Sequence, residues 1–369
     1  MRTLIFSFIF IGFSIAAYAQ IVIKGKVLNN KSNLPVVNAS VYFNSTSIGT
    51  VTNNNGEFIL ITGSIYTGEL IISSVGYQSL SYPVNNRDAD KSTYTFKLDI
   101  KESVLKDILI INHATRMEWL KMFKENFLGV TEEGNSCRIE NLNDIYFIAG
   151  KNKNIIYAYA DTPLVITNSL LGYQISFDLI EFSYDKENRQ TYFTGYNRYT
   201  EMGDKKRWIK RRKQNYFGST MHFYRSLVNK SLEVEGYTIF EITKLPQNTD
   251  SATVIPPSHI QAINFSVASP IAASQILFID TITNNYFIAC PNQIMVQYNK
   301  IPHSTYYLTQ KGFFAGVEHF GFTAFINLLS DKVELNTQGI ISNPLQVMYT
   351  GFWMYEKMGN QLPFNYNSE

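Results

Sequence analysis

A serine and a histidine three residues apart are the first pair in this sequence that could do covalent chemistry. Ser219 and His222 stand in the run GSTMHFYR, which also contains Arg225. A histidine base beside a serine hydroxyl can generate a nucleophile. On a single helix, however, Ser219 is better placed to cap the helix start, and no third group that would orient the histidine can be named. The spacing therefore favours a capping serine over a catalytic one.

The other catalytic patterns in the chain are weak. SxxK matches begin at Ser103 and Ser183, but the companion SDN and KTG motifs do not occur. The mature sequence has no GxSxG elbow, and the chain has no HExxH, P-loop, GxGxxG or EF-hand pattern. Carboxylates pair locally at Glu132-Glu133 and Glu233-Val234-Glu235, which does not establish the separation that glycoside hydrolysis needs. The sequence predicts no catalytic residues, no cofactor and no metal.

The densest charge lies at residues 205–213, KKRWIKRRK, where seven of nine residues are cationic. Such a cluster can bind the phosphates of lipopolysaccharide, an anionic glycan or an acidic partner. The alternative, which the pattern favours, is a solvated hairpin or strand edge whose lysines prevent edge-to-edge pairing. The candidate binding residues are Arg207, Trp208, Lys210, Arg211 and Arg212.

Residues 1–19, MRTLIFSFIFIGFSIAAYA, predict a signal peptide. One positive charge, Arg2, precedes an apolar run, and Ala17-Tyr18-Ala19 supplies small residues for cleavage. The apolar run of 14 residues is shorter than the ~20 that a membrane-spanning helix needs, and no longer run follows in the mature chain. We therefore expect an exported protein of the periplasm or the outer-membrane periphery. That location argues against nucleic acid as a partner, although the basic run has suitable electrostatics.

Composition excludes several classes of protein. Charged residues are 17%, aromatic residues 14% and hydrophobic residues 45% of the chain, which excludes disordered and collagen-like sequences. The net charge of +2 gives no overall attraction to nucleic acid. The two mature cysteines, Cys137 and Cys290, can form one disulfide in an oxidising compartment. Two separate buried thiols are the favoured alternative, because two cysteines make no recognisable framework.

Short β-rich runs fill residues 20–100, with turn signals every 8–12 residues and no helical period. This pattern predicts an all-β sandwich. The stretch resembles the carboxypeptidase-regulatory-like domain that is common in secreted and outer-membrane proteins of the Bacteroidetes, with Asn53 where that family usually has Asp. The resemblance implies a prealbumin-like, seven-stranded sandwich that serves as an interaction or docking module and is not itself a peptidase. The matching positions are Gly25, Val27, Leu34-Pro35, Ala39, Val41, Gly49-Thr50, Thr52, Gly56, Phe58, Ser73, Gly76 and Tyr77.

Residues 101–369 read as a larger, mainly antiparallel β domain with about two helices. Met117, Leu120, Phe123 and Phe127 fall at helical spacing and predict a helix near 114–128, and a second is expected near 219–229. This region resembles the C-terminal part of a Bacteroidetes group that joins the same sandwich to an uncharacterised domain. The resembling pieces are Phe127-Leu128-Gly129, Pro163-Leu164, Leu170-Leu171-Gly172-Tyr173, Tyr192-Phe193-Thr194-Gly195, Gly218-Ser219, His222-Phe223, Arg225-Ser226-Leu227 and Gly351-Phe352-Trp353.

The function expected from these features is non-enzymatic binding or assembly in the cell envelope. The partner would be an envelope protein, a glycan or lipopolysaccharide, and the tyrosine-rich part of the second domain is a candidate surface. Two alternatives stay open. One is an envelope hydrolase acting on peptide or glycan, with its site in the second domain. The other is a small outer-membrane β-barrel from about residue 140, which the polar sequence at 365–369 disfavours.

Overall fold

The computed structural model describes residues 21–62, 68–84, 93–101, 112–150, 154–243, 266–281, 285–300 and 322–368. The signal-peptide prediction and Ser103 of the first SxxK match lie outside these residues. The protein is mainly β, as its sequence predicts. The described residues form two compact units, one of 21–42 and 48–101 and the other of 43–47 and the described part of 112–368. None of the described helices combines the length and apolar character needed to cross a membrane.

The described residues of the first unit form seven strands in two sheets. One sheet has the order β4-β1-β7 and the other β3-β2-β5-β6. The inner faces bury alternating apolar side chains, including Val27, Phe58 and Phe96. The strands are β1 (Ile21–Asn29), β2 (Ser40–Phe43), β3 (Gly49–Val51), β4 (Glu57–Thr62), β5 (Gly68–Ser73), β6 (Leu80–Val84) and β7 (Tyr94–Leu98).

Two residues of the family-like pattern have clear structural roles in this unit. A Cβ at Gly25 would lie 2.6 Å from Phe58 Cε1 and 2.7 Å from the Tyr94 carbonyl oxygen, so β1 has no room for a side chain there. The buried Thr52 hydroxyl donates to the Val36 carbonyl at 2.6 Å and accepts from the Ala39 N–H at 2.9 Å. Gly25 thus lets β1 pack closely against Phe58 and β7, and Thr52 joins the segment that follows β3 to the segment that precedes β2.

A six-stranded antiparallel sheet forms the first half of the second unit. Its path is β8-β11-β12-β10-β9, with β13 paired along β12. The hairpin of β12 and β13 was predicted from alternation, and it is longer than the predicted runs. The strands are β8 (Cys137–Ile139), β9 (Ile145–Ala149), β10 (Ile155–Ala160), β11 (Leu164–Asn168), β12 (Tyr173–Asp185) and β13 (Gln190–Glu201).

A second sheet, of order β15-β14-β18-β19-β21, accompanies a small sheet of order β16-β17-β20. All pairings within these two sheets are antiparallel. The strands are β14 (Tyr237–Thr243), β15 (Ser266–Ile271), β16 (Leu277–Ile279), β17 (Tyr286–Ile288), β18 (Gln293–Tyr298), β19 (Phe322–Leu328), β20 (Val333–Leu335) and β21 (Val347–Gly351).

The described residues include five α-helices, where the sequence pattern predicts about two. They are α1 (His113–Phe127), α2 (Glu132–Asn135), α3 (Lys206–Tyr216), α4 (Thr220–Val228) and α5 (Leu232–Glu235). Helices α1 and α4 are the predicted pair. In α1 the buried face consists of Trp119, Leu120, Phe123 and Phe127, whereas Met117 is 53% exposed and was wrongly assigned to that face. Helices α2 and α5 are single turns, too short to show a period.

The two predicted helices, α1 and α4, each pack against a sheet. Phe123 of α1 packs against Phe182 with ring centroids 4.7 Å apart, and Phe127 meets Phe177 edge-on at 4.9 Å. Helix α4 joins a second core, in which Phe223 contacts the rings of Tyr237 and Trp353. In the sequence, the basic helix α3 follows β13 of the six-stranded sheet and precedes α4.

Candidate binding site on a basic helix

The basic run forms helix α3, not the solvated hairpin or strand edge that its charge favoured. Trp208, Arg212 and Tyr216 are its buried residues, and their spacing of four places them on one face. The Trp208 indole N–H donates to the Ser169 carbonyl at 2.9 Å. Beneath the indole lies Gly172, whose φ is +69° and where a Cβ would overlap the ring. Trp208, one of the predicted binding residues, therefore anchors the helix.

Arg212 anchors the same face through all three guanidinium nitrogens. Its Nε donates to the Leu171 carbonyl at 2.7 Å and its Nη2 to the Gly172 carbonyl at 3.0 Å. Its Nη1 pairs with Glu201 Oε2 at 2.8 Å, and the guanidinium lies 3.9 Å from the centre of the Tyr173 ring. The group is 5% exposed. Because its donors are engaged within the fold, Arg212 holds α3 in place and is a poor candidate for ligand contact.

Arg211 ties α3 to the short helix α2. Its guanidinium forms ion pairs with Glu132 and with Glu133, where Nε lies 3.1 Å from Oε1. Glu133 is buried and also accepts from the Asn360 side-chain amide at 3.3 Å. The Glu132-Glu133 pair, one of the two local carboxylate pairs in the sequence, thus neutralises a cation.

The solvent side of α3 carries the remaining cations. Lys206, Arg207, Lys210 and Lys213 are all exposed, and the three lysines follow one another at spacings of four and three along one face. The first turn of α3 has no acidic residue, and Lys205 at its start makes no side-chain cap. Cations near a helix N-terminus are disfavoured by the helix dipole. Two of them have a compensating contact, since Lys205 and Arg207 lie 4.6 and 5.6 Å from the centre of the Trp208 ring. A bound anion would compensate both the dipole and the cations.

A cavity of about 290 Å³ opens beside the same helix. Lys213, Ile209 and Arg212 form its α3 side, and the half-exposed Glu201 carboxylate is also part of the lining. This volume is near the lower end of small-molecule sites, which is suited to a single polar ring rather than an extended ligand. The other lining residues are Ser47, Tyr173, Pro363, Asn365, Tyr366, Asn367 and Ser368.

Ser219 and His222 both have structural roles at the start of α4. Ser219 is the N-cap of α4, where its Oγ accepts from the His222 backbone N–H at 3.1 Å. The His222 ring is 2% exposed. Its Nδ1 accepts from the Gly218 N–H at 3.2 Å and lies 2.9 Å from the Tyr237 hydroxyl, which assigns the ring proton to Nε2, 3.2 Å from Glu235. Burial lowers the pKa of His222, and the Glu235 carboxylate offsets that shift only in part.

Sequence reasoning missed Glu356, which lies at the start of the same helix. Its carboxylate accepts from the Thr220 N–H at 3.2 Å and from the Thr220 hydroxyl at 2.9 Å. Burial raises the pKa of Glu356 to about 7 in spite of these two hydrogen bonds. No local pattern around Glu356 identifies it, because its partner is 136 residues away in sequence.

The cysteines are both free, so the disulfide considered for Cys137 and Cys290 is not formed. Each thiol packs beside a different core of the second unit. The Cys137 thiol donates to the Glu133 carbonyl at 3.3 Å, and burial raises its pKa to about 12. Burial also raises the pKa of Cys290. Of the described residues, no three His, Cys, Asp or Glu side chains form a group that could hold a metal ion.

Tyrosines lie on both faces of the six-stranded sheet. Tyr173 and Tyr199 belong to the buried core of the second unit. Tyr146, Tyr157 and Tyr159 lie half-buried on the other face of the six-stranded sheet, where Tyr159 stacks on Tyr146 at 5.6 Å and on Tyr157 at 6.4 Å between ring centroids. Since stacked rings cover each other's faces, this row offers mainly ring edges to a ligand. It is a less developed binding site than α3.

Comparison with known proteins supports the first unit. No curated protein sequence matches the chain. One solved structure that matches is a 9R-lipoxygenase from Cyanothece PCC8801, with 11% identity over 57% of this chain and 48% of that chain and a TM-score of 0.16. The chain thus spans about half the length of that protein, and so low a TM-score carries no argument. Residues 23–110 match the family model of the CarboxypepD_reg-like domain, which confirms the resemblance predicted for the N-terminal domain.

Proposed function

We propose that this protein is a non-enzymatic binding or assembly protein of the cell envelope, whose helix α3 binds an anionic glycan such as the phosphorylated part of lipopolysaccharide. The observation that carries the proposal is the division of α3 into two sides. Trp208, Arg211 and Arg212 fix the helix to the fold, while four cations remain exposed. A rigid helix holds such a row of charges without the ordering penalty that a mobile loop would suffer on binding.

The cavity beside α3 fits this ligand class. Its lining includes serine hydroxyls, asparagine side-chain amides and the Tyr366 ring. Lys213 is part of the lining that α3 supplies. Sugar rings present hydroxyl groups to polar partners and C–H surfaces to aromatic rings. A sugar in this cavity would therefore find polar partners in the serine and asparagine side chains and an aromatic ring in Tyr366. The phosphate or carboxylate groups of the same glycan would then lie along the lysines of α3. The N-terminal sandwich would act as the docking module of this protein.

The alternative of an envelope hydrolase has less support from the geometry. His222 is the strongest base candidate among the described residues, yet both of its ring nitrogens have partners and its side chain is buried. A catalytic base needs a path to substrate. The cavity at α3 is lined by other residues and does not include His222.

Binding to lipopolysaccharide vesicles tests the proposal. The variant Lys206→Ala, Arg207→Ala, Lys210→Ala removes three exposed charges and retains Trp208, Arg211 and Arg212, although it loses the contact of Arg207 with the Trp208 ring at 5.6 Å. At about 1 kcal/mol for each cation near an anionic lipid surface, we expect a loss of roughly 100-fold in affinity. Affinity of the unmodified protein should also fall as salt is raised, because exposed charges are screened.

A matched control removes three exposed lysines elsewhere, at Lys31, Lys121 and Lys124. It changes the net charge by the same amount and should keep nearly full affinity. Equal losses in the two triple variants would mean that binding follows net charge and not α3. Unchanged binding by the α3 variant would refute the proposed site.

A further inference from the structure

Strand β4 has an open edge in the sandwich. Among the described residues it pairs with β1 on one side, in a register that joins Gly25 to Phe58 and Ile23 to Leu60. The Val27 N–H donates to the Gly56 carbonyl at 2.8 Å at the start of this ladder. Alternate residues of an antiparallel strand turn their N–H and C=O groups to opposite sides. The backbone groups of Ile59 and Ile61 therefore point away from β1.

The first residue of this edge is already occupied, but the next two outward-facing residues are not. Glu57 exchanges two bonds with Asn53, since its N–H donates to Asn53 Oδ1 at 2.9 Å and its carbonyl accepts from the Asn53 N–H at 2.9 Å. Within the described part of the chain, Ile59 and Ile61 have no such partner on the open side. They offer two donors and two acceptors in extended geometry.

The side chains along this edge are apolar and exposed. Ile59 is 56%, Ile61 57% and Val22 41% exposed, and Val22 lies directly across from Ile61 on β1. Proteins usually protect open edges with lysine, proline or a bulge on the edge strand itself. The sequence of β4, EFILIT, contains none of these devices. An open edge that keeps isoleucine at both outward positions is suited to strand addition.

The outer face of the same sheet is positively charged. Lys24 pairs in register with Ile59, Lys26 with Glu57, and Lys97 lies on β7. Glu57 on β4 and the exposed Asp99, which directly follows β7, are the acidic residues beside these lysines, and Lys97 also donates to Asn33 at 3.0 Å. Lys24 and Lys26 are the two lysines on the strand next to β4. Ile59, Ile61, Lys24 and Lys26 share one face of the sheet, and an added strand with alternating apolar and acidic residues would turn only one of the two types to that face. The acidic side chains would lie on this face, where they reach toward Lys24 and Lys26 and their methylene groups cover the isoleucines. The apolar side chains would lie on the opposite face, beside Phe58 and Leu60.

We infer that the β4 edge docks an extended segment of a partner protein, in which apolar and acidic residues alternate, by β-strand addition. The backbone of Ile59 and Ile61 supplies the hydrogen bonds, and the side chains of the outer face select the segment. The inference specifies the partner of the docking role proposed for the sandwich. It does not depend on glycan binding by α3.

Peptides of opposite charge test this inference on the full chain. The probes are blocked eight-residue peptides with alternating Val and Glu or alternating Val and Lys, and their affinity is measured by titration calorimetry. We expect the Val–Glu peptide to bind at least tenfold more tightly. Double substitution of Lys24→Glu and Lys26→Glu, on the strand next to β4, should reverse that preference. Equal affinity of the two peptides for the unmodified protein would overturn the inference.

The backbone role is tested by Ile59→Pro. Proline removes an N–H that points away from β1, so the β1–β4 ladder is retained while the edge loses a donor. Peptide affinity should fall at least tenfold, whereas Val51→Thr, at an exposed apolar position on β3, should leave it unchanged. The double variant Ile59→Thr, Ile61→Thr keeps every backbone group, and it should weaken binding while peptide still slows amide hydrogen exchange at residues 59 and 61.

Two outcomes would contradict strand addition even if the peptide binds. One is full affinity in a folded Ile59→Pro variant, and the other is unchanged exchange at residues 59 and 61 in the peptide-bound protein. The α3 triple variant should bind peptide normally, and Ile59→Pro should bind lipopolysaccharide normally. Failure of docking is thus separated from failure of glycan binding.

Discussion

Replacement of Glu356 by Gln should change how the stability of the protein depends on pH. The carboxylate lies at the N-terminus of α4, where a negative charge is favoured by the helix dipole. Burial nevertheless prevails and raises its pKa to about 7. Gln keeps an oxygen that can accept from the Thr220 N–H and hydroxyl, so the substitution removes the titration and preserves the hydrogen bonds.

The size of the effect follows from the difference between folded and unfolded protein. The pKa rises from 4.5 to about 7, and each unit corresponds to about 1.4 kcal/mol, so the upper bound is on the order of 3 kcal/mol. Because the folded pKa is the higher one, the folded state binds more protons between pH 4.5 and 7. The contribution of Glu356 is therefore complete below about pH 4.5 and is lost as pH rises through 7.

Urea unfolding at pH 5 and pH 8 measures this contribution. The wild type should lose stability relative to Glu356→Gln between these two pH values, by up to about 2.5 kcal/mol, because part of the contribution is already lost at pH 5. Comparison of the two proteins at each pH cancels the titration of other groups, including His222. Glu118→Gln, at an exposed position on α1, is the control for removal of a carboxylate. If the wild type and Glu356→Gln change in parallel with pH, the reasoning about burial at this site is wrong.

Two further substitutions test the anchoring of α3, both by urea unfolding. Arg212→Met leaves two buried carbonyls and a carboxylate without their partner, so it should destabilise by about 3–5 kcal/mol, whereas Lys206→Met should stay within about 0.5 kcal/mol. Gly172→Ala should destabilise far more than Gly76→Ala, because both have positive φ but only Gly172 lies against the Trp208 ring, while a Cβ at Gly76 meets nothing within 4 Å. Equal losses at the two glycines would assign the effect to φ alone.

The sequence predicts those elements whose burial repeats at a regular interval. The β12–β13 hairpin and the helix α1 both have such repeats, and both are present. Helix α3 was missed because the seven cations of residues 205–213 suggested a solvated segment. The signal was nevertheless there, since Trp208, Arg212 and Tyr216 recur every four residues. If the aliphatic part of Arg212 is counted as a buried group, these three residues form one buried helical face and predict the helix.

Other features arise only from contacts between distant segments. The raised pKa of Glu356 depends on its position beside Thr220, and the separate environments of the two cysteines depend on two cores that share no local pattern. The open edge of β4 likewise follows from which strands become neighbours. Sequence periodicity determines which face of a strand is buried, but it does not determine which strand lies beside it.

The basic run shows why the cations that are bound within the fold must be distinguished from the exposed ones before ligand binding is tested by mutation. Arg211 and Arg212 are both among the binding residues predicted from the sequence, and both form ion pairs within the fold. Their replacement by Ala would lower ligand binding through loss of the helix anchor, even if neither touches a ligand. Lys206, Arg207 and Lys210 are exposed, so their removal reports on binding without breaking those contacts. Only the exposed cations can therefore separate a binding role of α3 from a structural one.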